Sequence, residues 1–513
     1  MFGTVVVERA ASGTGDMIER LGLIEPSPGD HEVNGDTCSS VAGCGVASSG
    51  DTVVGIPCAG SLHDRRKLSR SSVALNNLRG IVIVTVLAFH SVMAYLASLG
   101  PAAFSFDVPP YKWRTFPIVD SHRWFGFDVF CAWQDVYLMS LMFFLSALFT
   151  WPSLGRKGTW RFLADRFLRL GVPFGVALTI VMPIALYPVY RLTAIDPGVT
   201  AYARHYLALP FWPAGPMWFL WQLLALTVLA TALHRFVPSW IELLGAYSLS
   251  ARARPGWYFV GLATASALAY VPLAVAFTPW DWVNYGPLAL QLSRPLLYAV
   301  LYCAGLAVGA CGLERGLLAP DGTLVRRWAV WFAGATGAFL LWMALTGLAM
   351  TYASGAPVGL QVVVDGSYAV ACVAGCFAAL AACLRFATMR SRILDGLASN
   401  AFGMYLLHYP FVVWLQFALL GVALFAAAKA AMVFGGTLIL AWTVSVAARF
   451  VPLGTRLIGA ERLVLPERSR SRVSAGTMLA GNWSPNIGAK TIVGPTRDHT
   501  WRDIVQRGQT PCR

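Results

Sequence analysis

The sequence predicts an all-α polytopic membrane protein of about ten transmembrane helices with both termini cytoplasmic. Three observations lead there. Of 513 residues, 57% are hydrophobic and 12% charged, about half the charged share of a soluble domain. Long apolar runs recur at close to the ~20 residues needed to cross a bilayer. Lys and Arg gather in alternate connections, as the positive-inside rule requires. The mean hydropathy of +0.60 agrees.

The apolar runs fall at about 79–99, 129–151, 171–190, 215–234, 257–277, 294–311, 328–352, 363–384, 399–420 and 423–447. Basic connections alternate with poorer ones. Arg65, Arg66, Lys67 and Arg70 precede the first run, and Arg156, Lys157, Arg161, Arg166 and Arg169 follow the second. Arg235, Arg252 and Arg254, then Arg315, Arg326 and Arg327, then Arg385, Arg390 and Arg392 continue the series. The net charge of +14 therefore reads as topology rather than as a nucleic-acid surface. Trp and Tyr are plentiful, as anchors at two lipid–water interfaces.

Three regions follow. Residues 1–70 are rich in Gly, Ser, Val and Asp, without period or signal-peptide order, and read as a disordered cytoplasmic extension or an over-long start. Residues 71–450 form the transmembrane domain, and 451–513 a basic, largely disordered cytoplasmic tail carrying Arg468, Arg470 and Arg472. Cys38, Cys44 and Cys58 match no common zinc spacing, so no metal is expected. Cys131, Cys303, Cys372, Cys376 and Cys383 stand singly in apolar runs, as small buried hydrophobes. The two halves show no obvious repeat, which disfavours inverted-repeat transporter folds.

His90 lies inside the first apolar run, where an ionisable group is costly and marks a functional candidate. Arg79 stands eleven residues earlier. That is almost three helical turns, so both side chains share a face about 16 Å apart. With Arg79 at the cytoplasmic edge, His90 falls near the midplane. Its imidazole can take a proton from a hydroxyl, and Arg79 can hold an anionic group in line with it. The plainer readings are a core histidine and a flanking topology arginine.

Asp135 in the second run reads either as the carboxylate that orients His90 or as an interfacial acid in a vestibule. Ser146 reads more as a packing residue than as a nucleophile. Arg166 and Arg169 are three apart in a segment of helical spacing, Arg161 to Leu170, and suit a phosphate clamp beside the membrane. The alternative is contact with anionic lipid. Trp218, in Gly215-Pro216-Met217-Trp218-Phe219-Leu220, opens the fourth run, where an aromatic belt is expected. His408 is a second intramembrane histidine, with Tyr405 before it and Pro410 after it to kink the helix. Lys429 either snorkels or pairs with a carboxylate.

Taken in order, these segments resemble the acyltransferase family 3 membrane proteins, O-acyltransferases of bacterial envelopes with relatives that modify periplasmic glucans. The resemblance runs from Asn77-Leu78-Arg79-Gly80 through His90, then Phe143 to Phe149, Arg161 to Pro173, Gly215 to Leu220 and Phe402 to Pro410. Ala147 stands where the family usually has Gly. Arg166 and Arg169 are separated where adjacent arginines are usual. The resemblance implies transfer of an acyl group of the acetyl or succinyl class from cytoplasmic acyl-CoA to a hydroxyl of an envelope carbohydrate or glycan. It implies acyl-CoA as a co-substrate with no permanently bound cofactor, and a place in the bacterial inner membrane. On that view His90 is the general base, Arg79 fixes donor or site geometry, and Asp135 orients His90. Arg166 and Arg169, with Arg161, are candidates for donor phosphates, and His408, Tyr405, Trp218 and Ser146 are further candidates.

Two rivals share these residues. A proton-coupled secondary transporter would use His90, Asp135, His408 and Lys429 as a path and make no covalent product. A polyprenyl-linked sugar transferase also needs membrane-edge arginines, but more often needs carboxylates at a divalent cation, and the outer loops offer few.

Overall fold

The computed structural model describes residues 70–455, apart from 101, 280, 354 and 453. The expected N-terminal extension with its cysteines and the tail beyond 455 lie outside the described residues.

Thirteen helices organise the described chain: α1 (Arg70–Val92), α2 (Phe125–Ala147), α3 (Thr150–Lys157), α4 (Thr159–Arg191), α5 (Val199–Leu207), α6 (Trp218–Phe236), α7 (Pro238–Ser250), α8 (Pro255–Phe277), α9 (Pro295–Cys311), α10 (Trp328–Ala349), α11 (Val358–Phe386), α12 (Arg392–Ala418) and α13 (Ala426–Ala448). Shorter helical turns lie between some of them. Among the described residues, eight helices or helix pairs are long and apolar enough to cross a membrane: α1, α2 with α3, α4, α6, α8, α10, α11 and α13. The other two expected spans fall on α9, an apolar helix of 17 residues, and on α12, of 27 residues. The all-α expectation holds except for one antiparallel hairpin, β1 (Trp282–Tyr285) with β2 (Leu288–Gln291). Gly286, at φ 56°, takes the first position of its two-residue turn, a place that needs positive φ.

The first span begins earlier than its apolar run suggests. Residues 70–78 continue the helix because their polar groups find partners in the bundle. Ser71 Oγ donates to the Leu318 carbonyl at 2.9 Å, and the Asn77 amide donates to the Ala387 and Met389 carbonyls at 2.7 and 3.1 Å. Arg79 therefore lies nine residues inside α1, and His90 only two residues before its end at Val92. The roughly 16 Å separation stands. The edge-and-midplane placement does not follow, because it took the helix to begin at Arg79.

The third span is also longer than its run. α4 is one 33-residue helix with two π turns, Phe167–Gly171 and Ala177–Val181. Each turn ends just before a Val-Pro or Met-Pro step, at Pro173 and Pro183. A proline ring removes one N–H and crowds the carbonyl four residues back. The helix accommodates both by widening: the Val172 N–H reaches the Phe167 carbonyl, and the Met182 N–H reaches that of Ala177, each five residues back.

α1 sits centrally, packed against α12, α13, α11 and α2. α11 is largely enclosed, while α10, α8 and α13 turn most of their surface outward, where lipid replaces protein as the apolar partner. α9 packs on α2 with backbones nearly touching. Gly305 and Gly309, four apart, lie against the Phe144 and Leu148 carbonyls, with no room for a side chain at either position. Small residues at this spacing let membrane helices approach to backbone contact. Arg252 and Asp321, 2.5 Å apart, close the loops at the arginine-rich end, and the donated hydrogen bond holds the Asp321 carboxyl below its ordinary value.

Gly309→Leu should part α2 from α9. The expected result is a variant destabilised by at least about 3 kcal/mol, the upper range for overpacking. A thermal melt of purified protein in detergent should show this as a large fall in the midpoint, while Gly435→Leu, at an open position, leaves it near wild type.

Candidate active site

α1 and α12 cross closely at one end, where a Cβ on Gly80 would stand 3.1 Å from the Ala398 nitrogen. At the other end the same two helices bring His90 and His408 together, ring centroids 5.1 Å apart and planes inclined by 40°. Tyr409 stands edge-on to His90 at 5.7 Å. His408 is fully buried. Its Nδ1 lies 2.6 Å from the Tyr405 carbonyl, which can only accept, so Nδ1 carries the hydrogen. In a neutral ring Nε2 is then the acceptor. That Nε2 is buried without a hydrogen-bond partner among the described residues.

His90 is half-buried and is held through its backbone. It lies in the last turn of α1, where carbonyls have no intrahelical partner. The Gln416 amide of α12 takes two of them, donating to the His90 carbonyl at 2.9 Å and the Ser91 carbonyl at 3.2 Å. Sequence reasoning missed Gln416, since an uncharged amide in an apolar run gives a weak signal. Tyr405 donates its hydroxyl to the Pro216 carbonyl and so ties α12 to the segment that opens α6. Trp218, from that segment, stacks on Tyr298 with centroids 6.0 Å apart and meets Trp282 edge-on at 5.7 Å.

The arginines converge around Arg79, three turns from His90 along α1. Arg79 is exposed and lines a cavity of about 280 Å³ with Ser72, Val73, Asn76, Phe149, Arg390 and Asp395. Arg390 pairs with Asp395 at 3.5 Å. Arg166 stacks over Phe162 at 5.0 Å and lies within electrostatic range of Arg79, Arg169 and the Tyr302 hydroxyl. Arg161 and Arg169 are exposed on the same helix. The nearby carboxylate, Asp165, is taken by Lys157. Among the described residues no ion pair neutralises Arg79, Arg161, Arg166 or Arg169. Here the arginines outnumber the nearby carboxylates, Asp165 and Asp395, and an excess of positive charge favours an anionic ligand.

Asp135 requires a correction. Its carboxylate does not orient His90. Both oxygens are held by Arg294, at 2.7 and 2.5 Å, and Tyr368 donates to its backbone carbonyl at 3.2 Å. Arg294 is buried while Asp135 is about one-third exposed, and the Tyr368 ring lies 5.3 Å from the guanidinium. A buried guanidinium has the stronger demand for a carboxylate, because an unpaired one is costly. Arg294 stands just before Pro295 at the start of α9. A charge opening an apolar run was the available signal.

Ser146 takes the Thr150 hydroxyl on its carbonyl at 3.1 Å, which is a backbone role, and it lies outside the histidine cluster. Lys429 pairs rather than snorkels. Its ammonium meets Asp120 at 2.7 Å, both fully buried, and His122 donates its backbone N–H to the same carboxylate at 2.8 Å. This pair anchors the loop between α1 and α2 onto α13.

The fold and the site together define a multi-pass membrane protein with a pair of facing histidines at one end of a central helix and a cluster of unneutralised arginines towards the other. Residues 72–446 match the profile of acyltransferase family 3, described as an acyltransferase domain, and the chain belongs to that family. It is an acyltransferase acting on groups other than aminoacyl, which sets the transporter and sugar-transferase readings aside. No curated protein and no solved structure matches the chain.

The Asp135–Arg294 assignment is testable by a double-mutant cycle. Arg294→Met alone should cost about 3 kcal/mol, the low end for breaking a buried pair, and Arg294→Met with Asp135→Leu should recover much of it. Thermal melts give both numbers. Additive losses in the double variant would count against the pair.

Proposed function

We propose that the protein transfers an acyl group of the acetyl or succinyl class from cytoplasmic acyl-CoA to a hydroxyl of an envelope carbohydrate or glycan, in the bacterial inner membrane. The observation that carries this reading is the separation of two chemistries along α1. Arginines in excess of the nearby carboxylates stand around Arg79, and a half-buried imidazole stands about 16 Å further on.

Acyl-CoA is a polyanion whose phosphates lie far from its uncharged thioester, and that division matches the site. Arg166 and Arg169, with Arg161 beside them, hold the donor phosphates, since guanidinium suits phosphate in charge and geometry. Arg79, within electrostatic range of Arg166, aligns the donor. The basic end is then cytoplasmic, with both termini on that side. The acceptor enters from the far end.

In the reaction His90 takes the proton of the acceptor hydroxyl as its oxygen attacks the thioester carbon. The C–O bond forms, the C–S bond breaks, and the coenzyme thiolate leaves and is protonated. His408 replaces Asp135 as the positioning neighbour. Its ring packs against that of His90, centroids 5.1 Å apart, and limits how the His90 imidazole can turn as the base. Carbohydrates present both apolar faces and hydroxyls, and the aromatic group of Trp218, Trp282 and Tyr298 supports such an acceptor.

Purified protein in liposomes, given labelled acyl-CoA and envelope glycan, should form an acyl ester. His90→Ala should lower kcat by about 10²–10⁴-fold, the usual contribution of a positioned base. His408→Gln should retain more activity and shift the pH profile. Activity retained by His90→Ala would overturn the base assignment.

Arg166→Ala and Arg169→Ala should each raise the KM for acyl-CoA several-fold with little change in the acceptor KM. Equal effects on both substrates would remove the phosphate role.

A further inference from the structure

Where α4, α5 and α12 meet, at the end of the bundle away from the arginine cluster, lies a cavity of about 560 Å³. That volume is within the ~300–1,000 Å³ of small-molecule sites. Tyr187, Tyr202, Tyr206, Trp212, Trp414 and Ile184 line much of it. The groove is preformed by the prolines of α4. Pro188 has no N–H to give the Ile184 carbonyl four residues back. Trp414 of α12 fills that vacancy, its Nε1 donating to Ile184 at 2.9 Å, and the bond fixes the indole beside the groove. Tyr202 donates its hydroxyl to the Pro183 carbonyl at 2.7 Å, and Tyr187 donates to that of Pro197 at 2.8 Å. Both hydroxyls are thus spent on backbone, and apolar ring surface remains.

The rim differs in character. Arg191 ends α4 with its guanidinium 5.9 Å from the Tyr187 ring and 5.7 Å from that of Phe417. Arg204, on α5, lies within electrostatic range of Tyr190, the residue before Arg191. Both arginines are exposed, and among the described residues neither is in an ion pair. Asp107, on the neighbouring loop, pairs instead with His205 at 2.9 Å. A purely lipid-facing surface has no use for two such cations, and an anionic head on an apolar chain satisfies both parts.

We propose that this groove binds a phosphate-headed membrane lipid. The hydrocarbon chain lies along Tyr187, Ile184 and Trp414, and the phosphate is held at the rim by Arg191 and Arg204. The site is separate from the histidine pair and does not depend on the acyl-transfer reading.

The test is native mass spectrometry of the full chain, released from phosphatidylcholine nanodiscs and titrated with hexadecyl phosphate or with hexadecanol. The chains are identical, so the comparison isolates the head. Wild-type protein should retain the phosphate at least about tenfold better, the scale of a charge-assisted contact. Arg191→Gln with Arg204→Gln should abolish that preference, and Ala203→Trp, which fills the groove from an exposed position, should weaken both ligands. Melts matching wild type confirm that each variant is folded. Equal retention of phosphate and alcohol by wild type overturns the proposal, as does a preference that survives the double arginine variant. Full retention by Ala203→Trp overturns the placement in the groove.

Discussion

The seam between α1 and α12 holds the site together, and its grip depends on one amide. A helix that ends inside a bundle leaves carbonyls facing an apolar medium that cannot solvate them. Gln416 answers two of these at the end of α1. That fixes the backbone carrying His90 to the helix carrying His408, and the imidazole contact follows. Tyr405, from the same helix, extends the support to the segment before Trp218 through the Pro216 carbonyl. Three separate stretches of sequence thus meet around one pair of rings because of backbone carbonyls that needed donors.

The buried charges follow a related rule. Arg294 and Lys429 each find a carboxylate across the bundle, Asp135 and Asp120, and each pair ties distant segments together. The arginines near Arg79 do not follow it. They are in no ion pair among the described residues, and Arg79, Arg161 and Arg169 are exposed. Paired charges here serve architecture, and the unpaired ones leave an excess of positive charge at one place.

Much of this was legible in the sequence, for reasons that can be named. The eleven-residue step from Arg79 to His90 encodes a shared face through helical pitch alone, and α1 runs unbroken across it. The apolar runs gave the helices because bilayer thickness fixes their length. What escaped was lateral. A carboxylate in an apolar run announces its cost but not the direction of its partner, and the sequence around Asp135 holds no sign of Arg294, 159 residues away. The start of α1 was misplaced because polar residues 70–78 look like solvent when read along the chain, yet Asn77 caps another helix. The hairpin Trp282–Gln291 and the short α7 lay below the length that marks a span.

The backbone contact of Gly305 and Gly309 with α2 has a consequence for how the enzyme can work. The same two helices are also joined nine residues away on α2, where Asp135 meets Arg294. Two attachments at different depths fix both spacing and tilt, as two rivets stop a pair of plates from pivoting. α2 and α9 therefore form a stationary wall, and rocking between them would strip a buried cation of its partner. Whatever travels past that wall has to move between fixed surfaces, so its fit is set by the girth of the side chains it passes.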